Sequence, residues 1–430
     1  NPPLFQNEFL KQEGWPIMTK RIVTVLLVLC MIIGLVPALS GCSSLQYDSL
    51  PDSYNAETDY PQMFYRSAVG PYVTPSENGY YFIAGSFIYY MDQANLNPVI
   101  LCGRPECQHE LETDPEKVWK CNGYISTVGI NFIQYYEKSL YVIGYDIENT
   151  ALQKKFFLYR FSPDGKSREV VRQINGEEAV QMSAIHRGYF YQYTRDENSQ
   201  YHLWRMPLDK DDPADEIYTS PQNTVYSELY FWGNQIYISE WHPDESNVYR
   251  GQIEAYNVES NSTEILLTNK INDGHYSISG IDENKIFFQY YQFAEDSNID
   301  PSQVFSYDLK TGEQDFVGSI PVESGTYPTL LRSTQEWIVS QESNTEDYEE
   351  LSRMLLILDD NFETKRELSL SYLPKRYSIA PGDDKYAFIW YWDATYTYCL
   401  DVVDKQDKWT PQNILKKTFD ELNPYVVIPR

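Results

Sequence analysis

Short runs of aromatic and β-branched residues, cut by polar breaks, recur from about residue 68 to the end of the chain. The clearest are Gly79-Tyr80-Tyr81-Phe82, Ser139-Leu140-Tyr141-Val142, Gly188-Tyr189-Phe190-Tyr191, Gln235-Ile236-Tyr237-Ile238, Lys285-Ile286-Phe287-Phe288, Glu336-Trp337-Ile338-Val339 and Lys385-Tyr386-Ala387-Phe388. They begin 47 to 60 residues apart. Within them the pattern has period two, as in Tyr189-Phe190-Tyr191-Gln192-Tyr193, and does not fit a helical period of 3.6. After each comes a polar loop, a second strand and a tight turn. Phe157-Leu158-Tyr159-Arg160-Phe161 runs into Pro163-Asp164-Gly165, and Val304-Phe305-Ser306-Tyr307-Asp308 into Lys310-Thr311-Gly312. A further strand leaves the turn, such as Glu264-Ile265-Leu266-Leu267, and another often precedes the signature, such as Phe132-Ile133-Gln134-Tyr135-Tyr136.

Four strands in roughly 50 residues, repeated, predict an all-β chain folded as a β-propeller of four-stranded blades. Seven blades are expected, with six or eight as the alternatives that the indistinct terminal repeats leave. Blades bury their faces only against one another, so the aromatic positions are expected to be inter-blade packing. Val69 to Thr74 or Pro424 to Pro429 is expected to complete the blade that joins the two ends, and Gln412 to Leu422 reads as a short helix.

Upstream of the repeats the pattern changes. Lys20 and Arg21 precede an apolar run from Ile22 to Val36, which ends at Pro37 and the small residues around Leu39-Ser40-Gly41-Cys42. A positive segment, an apolar core and a small-residue site form a signal peptide rather than a membrane span, which needs roughly 20 apolar residues. Leu39-Ser40-Gly41-Cys42 resembles the bacterial lipobox. The resemblance implies cleavage before Cys42, lipidation of Cys42, and a protein held by lipid on the extracytoplasmic face of the cell membrane. On this reading residues 1–17 lie upstream of the start at Met18, 18–41 are the signal peptide, 42–67 are a turn-rich tether and 68–430 are the propeller.

Charge narrows the partners. With 34 basic and 62 acidic residues the net charge is −28, which repels phosphate backbones and makes nucleic acid an unsuitable partner. The same charge disfavours adhesion to anionic headgroups, leaving the anchoring to the lipid. The 38 tyrosines in a chain that is 15% aromatic reinforce the preference for strands.

One loop carries pointed chemistry. Cys102 and Cys107 are followed by His109 and, after eleven residues, by Cys121. Asp114-Pro115-Glu116-Lys117 between them reads as the start of a short helix, which would fold Cys121 back onto the other three. Three thiolates and an imidazole make a complete tetrahedral set for one structural zinc. The competing reading is disulfides, since Cys102, Cys107, Cys121 and Cys399 make an even number outside the cytoplasm. The nearness of His109 to Cys107 puts metal ahead. At Cys102, Pro105, Cys107, His109, Cys121 and Asn122 the chain resembles uncharacterised β-propeller lipoproteins of anaerobic Gram-positive bacteria, with a longer His-to-Cys gap. That resemblance implies a propeller over most of the mature chain and no established activity.

The common hydrolase and phosphate-loop motifs are missing from the sequence. Acidic pairs such as Asp359-Asp360 and Asp383-Asp384 fall in expected turns, where solvated caps are commoner than catalytic pairs. The expected function is therefore a binding or protein-assembly module without catalysis. The alternative is carbohydrate binding or glycan processing, with Trp390, Trp392, Asp393, Trp232 and Trp241 as candidate sugar contacts.

Overall fold

The computed structural model describes residues 53–62, 73–109, 112, 114–125, 132–145, 155–174, 179–210, 212–269, 274–282, 284–292, 302–321, 326–332, 336–343, 354–373 and 377–422. Seven four-stranded antiparallel sheets, each built from consecutive strands, form a ring, a seven-bladed β-propeller. Blades 1 to 7 occupy residues 73–100, 133–174, 179–219, 226–268, 274–319, 326–369 and 377–418. The expected signatures are the second strands of the blades, from Gly79–Ala84 in blade 1 to Tyr386–Trp392 in blade 7. Among the described residues no helix is long and apolar enough to cross a membrane.

The second and third strands are the most buried and the fourth the least, as in blade 7. The fourth strands Ser262–Thr268 and Thr364–Ser369 are mostly exposed, and Val170, Ile265 and Phe316 on such strands face solvent. In blades 2 to 7 the register slips once between third and fourth strand, for example at Leu203/Trp204 and Ile253/Glu254. Such a slip bends and twists the outer strand.

Several of the described tyrosines pack between blades. Tyr81, Ile88, Ile133 and Tyr159 join blades 1 and 2, and Tyr237, Tyr276, Phe288 and Tyr290 join blades 4 and 5. Backbone groups on the first strands of blades 3 and 6 are met by a glutamine side chain from the preceding blade. Gln134 of blade 2 donates to Ile185 O (2.6 Å) and accepts from Ile185 N (2.7 Å). Gln289 of blade 5 does the same to Pro328 and Leu330 of blade 6, both at 3.2 Å. A blade edge left bare would cost its hydrogen bonds.

Ring closure needs no exchanged strand. Val73–Pro75 is the first strand of blade 1, while 424–429 lies outside the described residues. Blade 1 meets blade 7 through Tyr80, whose hydroxyl donates to Asp383 Oδ2 (2.6 Å) and whose ring packs edge-on against Phe388. Ser86 N donates to Leu422 O at 2.8 Å. Gly85, at φ +60°, gives that contact room: a Cβ there would lie 2.4 Å from Leu422 Cβ.

Two expectations are corrected. Gln412 to Leu422 is not a helix: Thr410–Thr418 is the fourth strand of blade 7, paired with Thr397–Asp404, and only Phe419–Leu422 is helical. The free edge of the third strand outweighs a weak local helical preference. In the stretch read as a tether, residues 53–62 are docked on blades 3 and 4. Asp59 lies in a buried pair with Arg187 (Oδ1 to Nε, 2.8 Å) and also accepts from Gly233 N at 3.1 Å. Tyr60 N donates to His186 Nδ1 (3.1 Å), and Tyr54 stacks on Trp232. The rest of the expected tether, Cys42 and the signal peptide fall outside the described residues.

Candidate functional site

The connection from blade 1 to blade 2 carries the cysteine loop. Its chain doubles back between Arg104 and Cys107, where Cys107 N donates to Arg104 O at 3.3 Å. His109 takes a left-handed backbone, φ +53°, which turns the chain again two residues after Cys107. The helix Pro115–Lys120 follows, starting where the Asp-Pro pair predicts. Val118 on this helix is buried in the core, and Cys121, whose amide donates to Val118 O at 2.8 Å, comes one turn later. The helix thus folds Cys121 back as expected.

The result is a convergent donor set. One ligand atom from each of Cys102, Cys107, His109 and Cys121 lies within 4.8 Å of all the others. Zinc–sulfur bonds of about 2.3 Å and zinc–nitrogen bonds of about 2.0 Å require S···S edges near 3.8 Å and S···N edges near 3.6 Å in a tetrahedron. Cys121 Sγ and His109 Nδ1 are 3.6 Å apart, so this edge fits a metal without rearrangement. The group could hold a metal ion. All four described cysteines are free thiols, and Cys399, buried in blade 7, is not in the set; its Sγ lies 3.7 Å from Thr397 O.

The thiols differ in their electrostatics. Burial pushes the Cys102 thiol up, but donation from the backbone amides of Arg104 and Asn122 more than offsets it, so Cys102 lies below the usual value. Burial pushes the Cys107 and Cys121 thiols up, and the Cys102 thiol adds to both shifts. Three thiols so close cannot all ionise without a counter-charge, and a dication supplies one.

The loop is fastened to the neighbouring blade. Asn122 Nδ2 donates to Gly165 O (2.8 Å) and Lys166 O (2.9 Å) in the Pro163-Asp164-Gly165 turn of blade 2. Gly103 N also donates to Gly165 O, at 3.0 Å. Arg168 of the same blade donates to Tyr124 O (2.9 Å) and Trp119 O (3.3 Å). Gly165 is at φ +68°, and a Cβ there would lie 2.8 Å from Leu101 C. The donor set therefore closes a loop clamped between two blades.

The candidate sugar contacts are not brought together. Trp390 is buried in the core, while Trp392 is 40% exposed beside Tyr398 and Phe419. Asp393 caps its own turn by accepting from Thr395 Oγ1, Thr395 N and Thr397 N, and these bonds, the Thr395 hydroxyl's first, hold its carboxyl well below the usual range. Trp232 lies under Tyr54, and Trp241 packs on Tyr249. Trp232 pairs near the first turn of blade 4 and Trp241 opposite Tyr226 at the far end, about 20 Å away along the strands. The acidic pairs behave as turn caps: Asp359 accepts from Asn361 N and Glu363 N, and Asp383 from Lys385 N and Tyr386 N.

Sequence reasoning missed two buried polar groups. One is the Asp59–Arg187 pair. The other is Glu240, wholly buried, whose Oε1 accepts from Ser227 Oγ at 3.1 Å. Burial pushes Glu240 up to about 8, and nearby Glu254 adds to the shift. Neither has a local motif: Asp59 and Arg187 are 128 positions apart, and Ser227 and Glu254 stand on the two strands that flank the strand of Glu240.

No protein-family model matches the chain, and no curated protein is similar to it in sequence. Solved structures match in fold. One, from a study of two prolyl endopeptidases, aligns with TM-score 0.51 at 10% identity over 86% of this chain and 51% of that one. Prolyl oligopeptidase B from Galerina marginata gives TM-score 0.51 at 10% identity over 80% of this chain and 50% of that one. An oligogalacturonate lyase from Vibrio parahaemolyticus gives TM-score 0.47 at 12% identity over 79% and 86%. The chain spans about half the length of the two peptidases. At such identities the likeness is one of fold alone.

Proposed function

We propose that this chain is a lipid-anchored, extracytoplasmic binding or assembly module: a propeller platform without catalysis, with one structural zinc at Cys102, Cys107, His109 and Cys121. The closure of the donor set carries the reading. Four protein donors fill a tetrahedral shell and leave no position for a water or substrate, which a catalytic zinc needs. The metal would fix the loop that joins blade 1 to blade 2. Lipidation at Cys42 rests on the lipobox resemblance, and two or three chains at about 0.8 kcal/mol per buried CH₂ suffice for stable anchoring.

Two measurements test it. Zinc content of the chain purified without chelator should be one per molecule and should fall in His109→Ala; absence of metal with free thiols would sink the structural-zinc reading. Flotation with vesicles should be lost in Cys42→Ser. Chemical change of any peptide or oligosaccharide in a panel incubated with the protein would overturn the non-catalytic reading.

A second reading, glycan binding, has one observation in its favour. Trp392 at 40%, Phe419 at 37% and Tyr396 at 79% exposure present aromatic surface at one end of blade 7. Saturable retention of an oligosaccharide that Trp392→Ala abolishes would favour it.

A further inference from the structure

A second site adjoins the metal loop. Between blades 1 and 2 lies a cleft of about 450 Å³ lined by Tyr81, Tyr90, Tyr135, Glu77, Asn78 and Asp164, with Cys102 in its wall. This is within the size range of ligand pockets. Tyr81 and Tyr135 lie nearly parallel, 14° apart with centroids at 5.6 Å, and Tyr90 leans on Tyr81 at 5.0 Å. The rings therefore support one another and need no ligand to hold their positions.

The hydrogen-bond polarity of the cleft decides what it can take. Each tyrosine hydroxyl already donates to a fixed acceptor: Tyr135 to Glu77 Oε2 (2.6 Å), Tyr81 to Pro163 O (2.9 Å) and Tyr90 to Asn78 O (3.3 Å). What Tyr90 and Tyr135, both half-buried, still offer is ring face and phenolic lone pairs, while the buried Tyr81 backs them. Glu77 is exposed, and donation from Tyr135 holds its carboxyl below the usual value. Asp164 is already matched by Lys166 at 2.8 Å, and Glu77, with Lys138 nearby and Oε2 taken by Tyr135, is the carboxylate whose other oxygen is left to a ligand. Asn78 adds the one side-chain N–H donor among these six residues.

A neutral sugar needs donors as well as acceptors from its site. An arginine guanidinium needs acceptors and ring faces only: it is planar, carries five donors in its own plane, and stacks on aromatic rings. A carboxylate beside a ring edge meets that fork. The net charge of −28 points the same way.

We propose that the Tyr81–Tyr90–Tyr135 cleft, with Glu77 at its rim, is a docking site for an arginine side chain of a basic protein partner. This rests on the reading of the chain as a binding module and gives that module a partner class. A guanidinium stacked on the tyrosine surface donates to Glu77, while the aliphatic stem of the arginine runs along Val99 and Ile100, which also line the cleft.

The test uses the full chain in detergent micelles. Equilibrium dialysis is run with acetyl-Gly-Arg-Gly-amide and with its citrulline counterpart, which has the same shape without the charge. The arginine peptide is expected to bind saturably at one site, at least about tenfold tighter than the citrulline peptide. Glu77→Gln, an exposed change, should weaken it by about tenfold. Tyr135→Leu, which leaves the net charge alone, should do likewise, with circular dichroism confirming the fold. Equal binding of the two peptides, or arginine binding unchanged in both variants, overturns the proposal, the latter being attraction to the acidic surface at large. These outcomes leave the module reading intact, because its failure would appear separately as turnover in the panel.

Discussion

Asp59→Ala tests whether residues 53–62 belong to the folded domain or merely hang from it. The Asp59 side chain is wholly buried and that of Arg187 is 3% exposed. Asp59 accepts from Arg187 Nε at 2.8 Å, Gly233 N at 3.1 Å and Asn55 N at 3.0 Å. Arg187 also donates to Asn234 Oδ1 and to Ser53 O (3.1 Å). Removing one member of a buried, hydrogen-bonded pair leaves the other charge uncompensated and costs about 3–5 kcal/mol. With about 2.1 cal/mol/K of unfolding entropy per residue, a propeller of roughly 350 residues should lose about 4–7 °C in Tm. Urea unfolding followed by tyrosine and tryptophan fluorescence measures the loss directly, and limited proteolysis reports whether residues 53–62 become cleavable first. Asp59→Asn keeps shape and one acceptor and should lie between wild type and alanine. A loss below about 1 kcal/mol, with no new cleavage, would refute the reasoning and return this stretch to the status of a tether.

Other predictions follow from the same packing. Burial holds His186 at about 4, with its ring accepting from Tyr60 N and bonded to Gly233 O at 2.8 Å. The unfolded chain takes up this proton near 6.5 and the folded chain only near 4, so the stability present above about 6.5 falls by about 3 kcal/mol as pH drops toward 4. His186→Gln should flatten that limb in urea titrations between those pH values, and an unchanged slope would contradict it. Glu240 has the opposite sign: its folded value of about 8 lies above the unfolded one near 4.5, so stability is lost as pH rises between these values and the loss is complete above about 8. Glu240→Gln should therefore gain more relative to wild type at pH 8.5 than at pH 5; an equal effect at both would show that its carboxyl does not titrate there. Gly165→Ala sets a Cβ 2.8 Å from Leu101 C at a left-handed φ. It should cost about 1–3 kcal/mol and speed hydrogen exchange in residues 101–125, whereas exchange like wild type would show that the clamp yields freely.

The propeller class was legible in the chain alone, and the structure fixed the blade count at seven where six or eight had stood open. Short inner strands apolar at nearly every position, repeated about every 50 residues, leave each sheet with two apolar faces, and stacking in a ring buries them. The chain alone also marked the donor set, because Cys102, Cys107, His109 and Cys121 are close in sequence and a predictable helix start supplies the return. Tertiary structure decided whatever depends on partners from distant segments. The helix expected at 412–422 became mostly strand because blade 7 had an unpaired edge. Asp59 and Arg187 are 128 positions apart, so no local pattern could pair them or show that residues 53–62 dock. Trp232 and Trp241 are nine positions apart in sequence, yet the length of the second strand sets them at opposite ends of blade 4. The acceptor-rich tyrosine cleft exists only because blades 1 and 2 bring Glu77, Tyr81 and Tyr135 together. Local spacing encodes what a loop or strand can do alone, and the ring decides which residues meet.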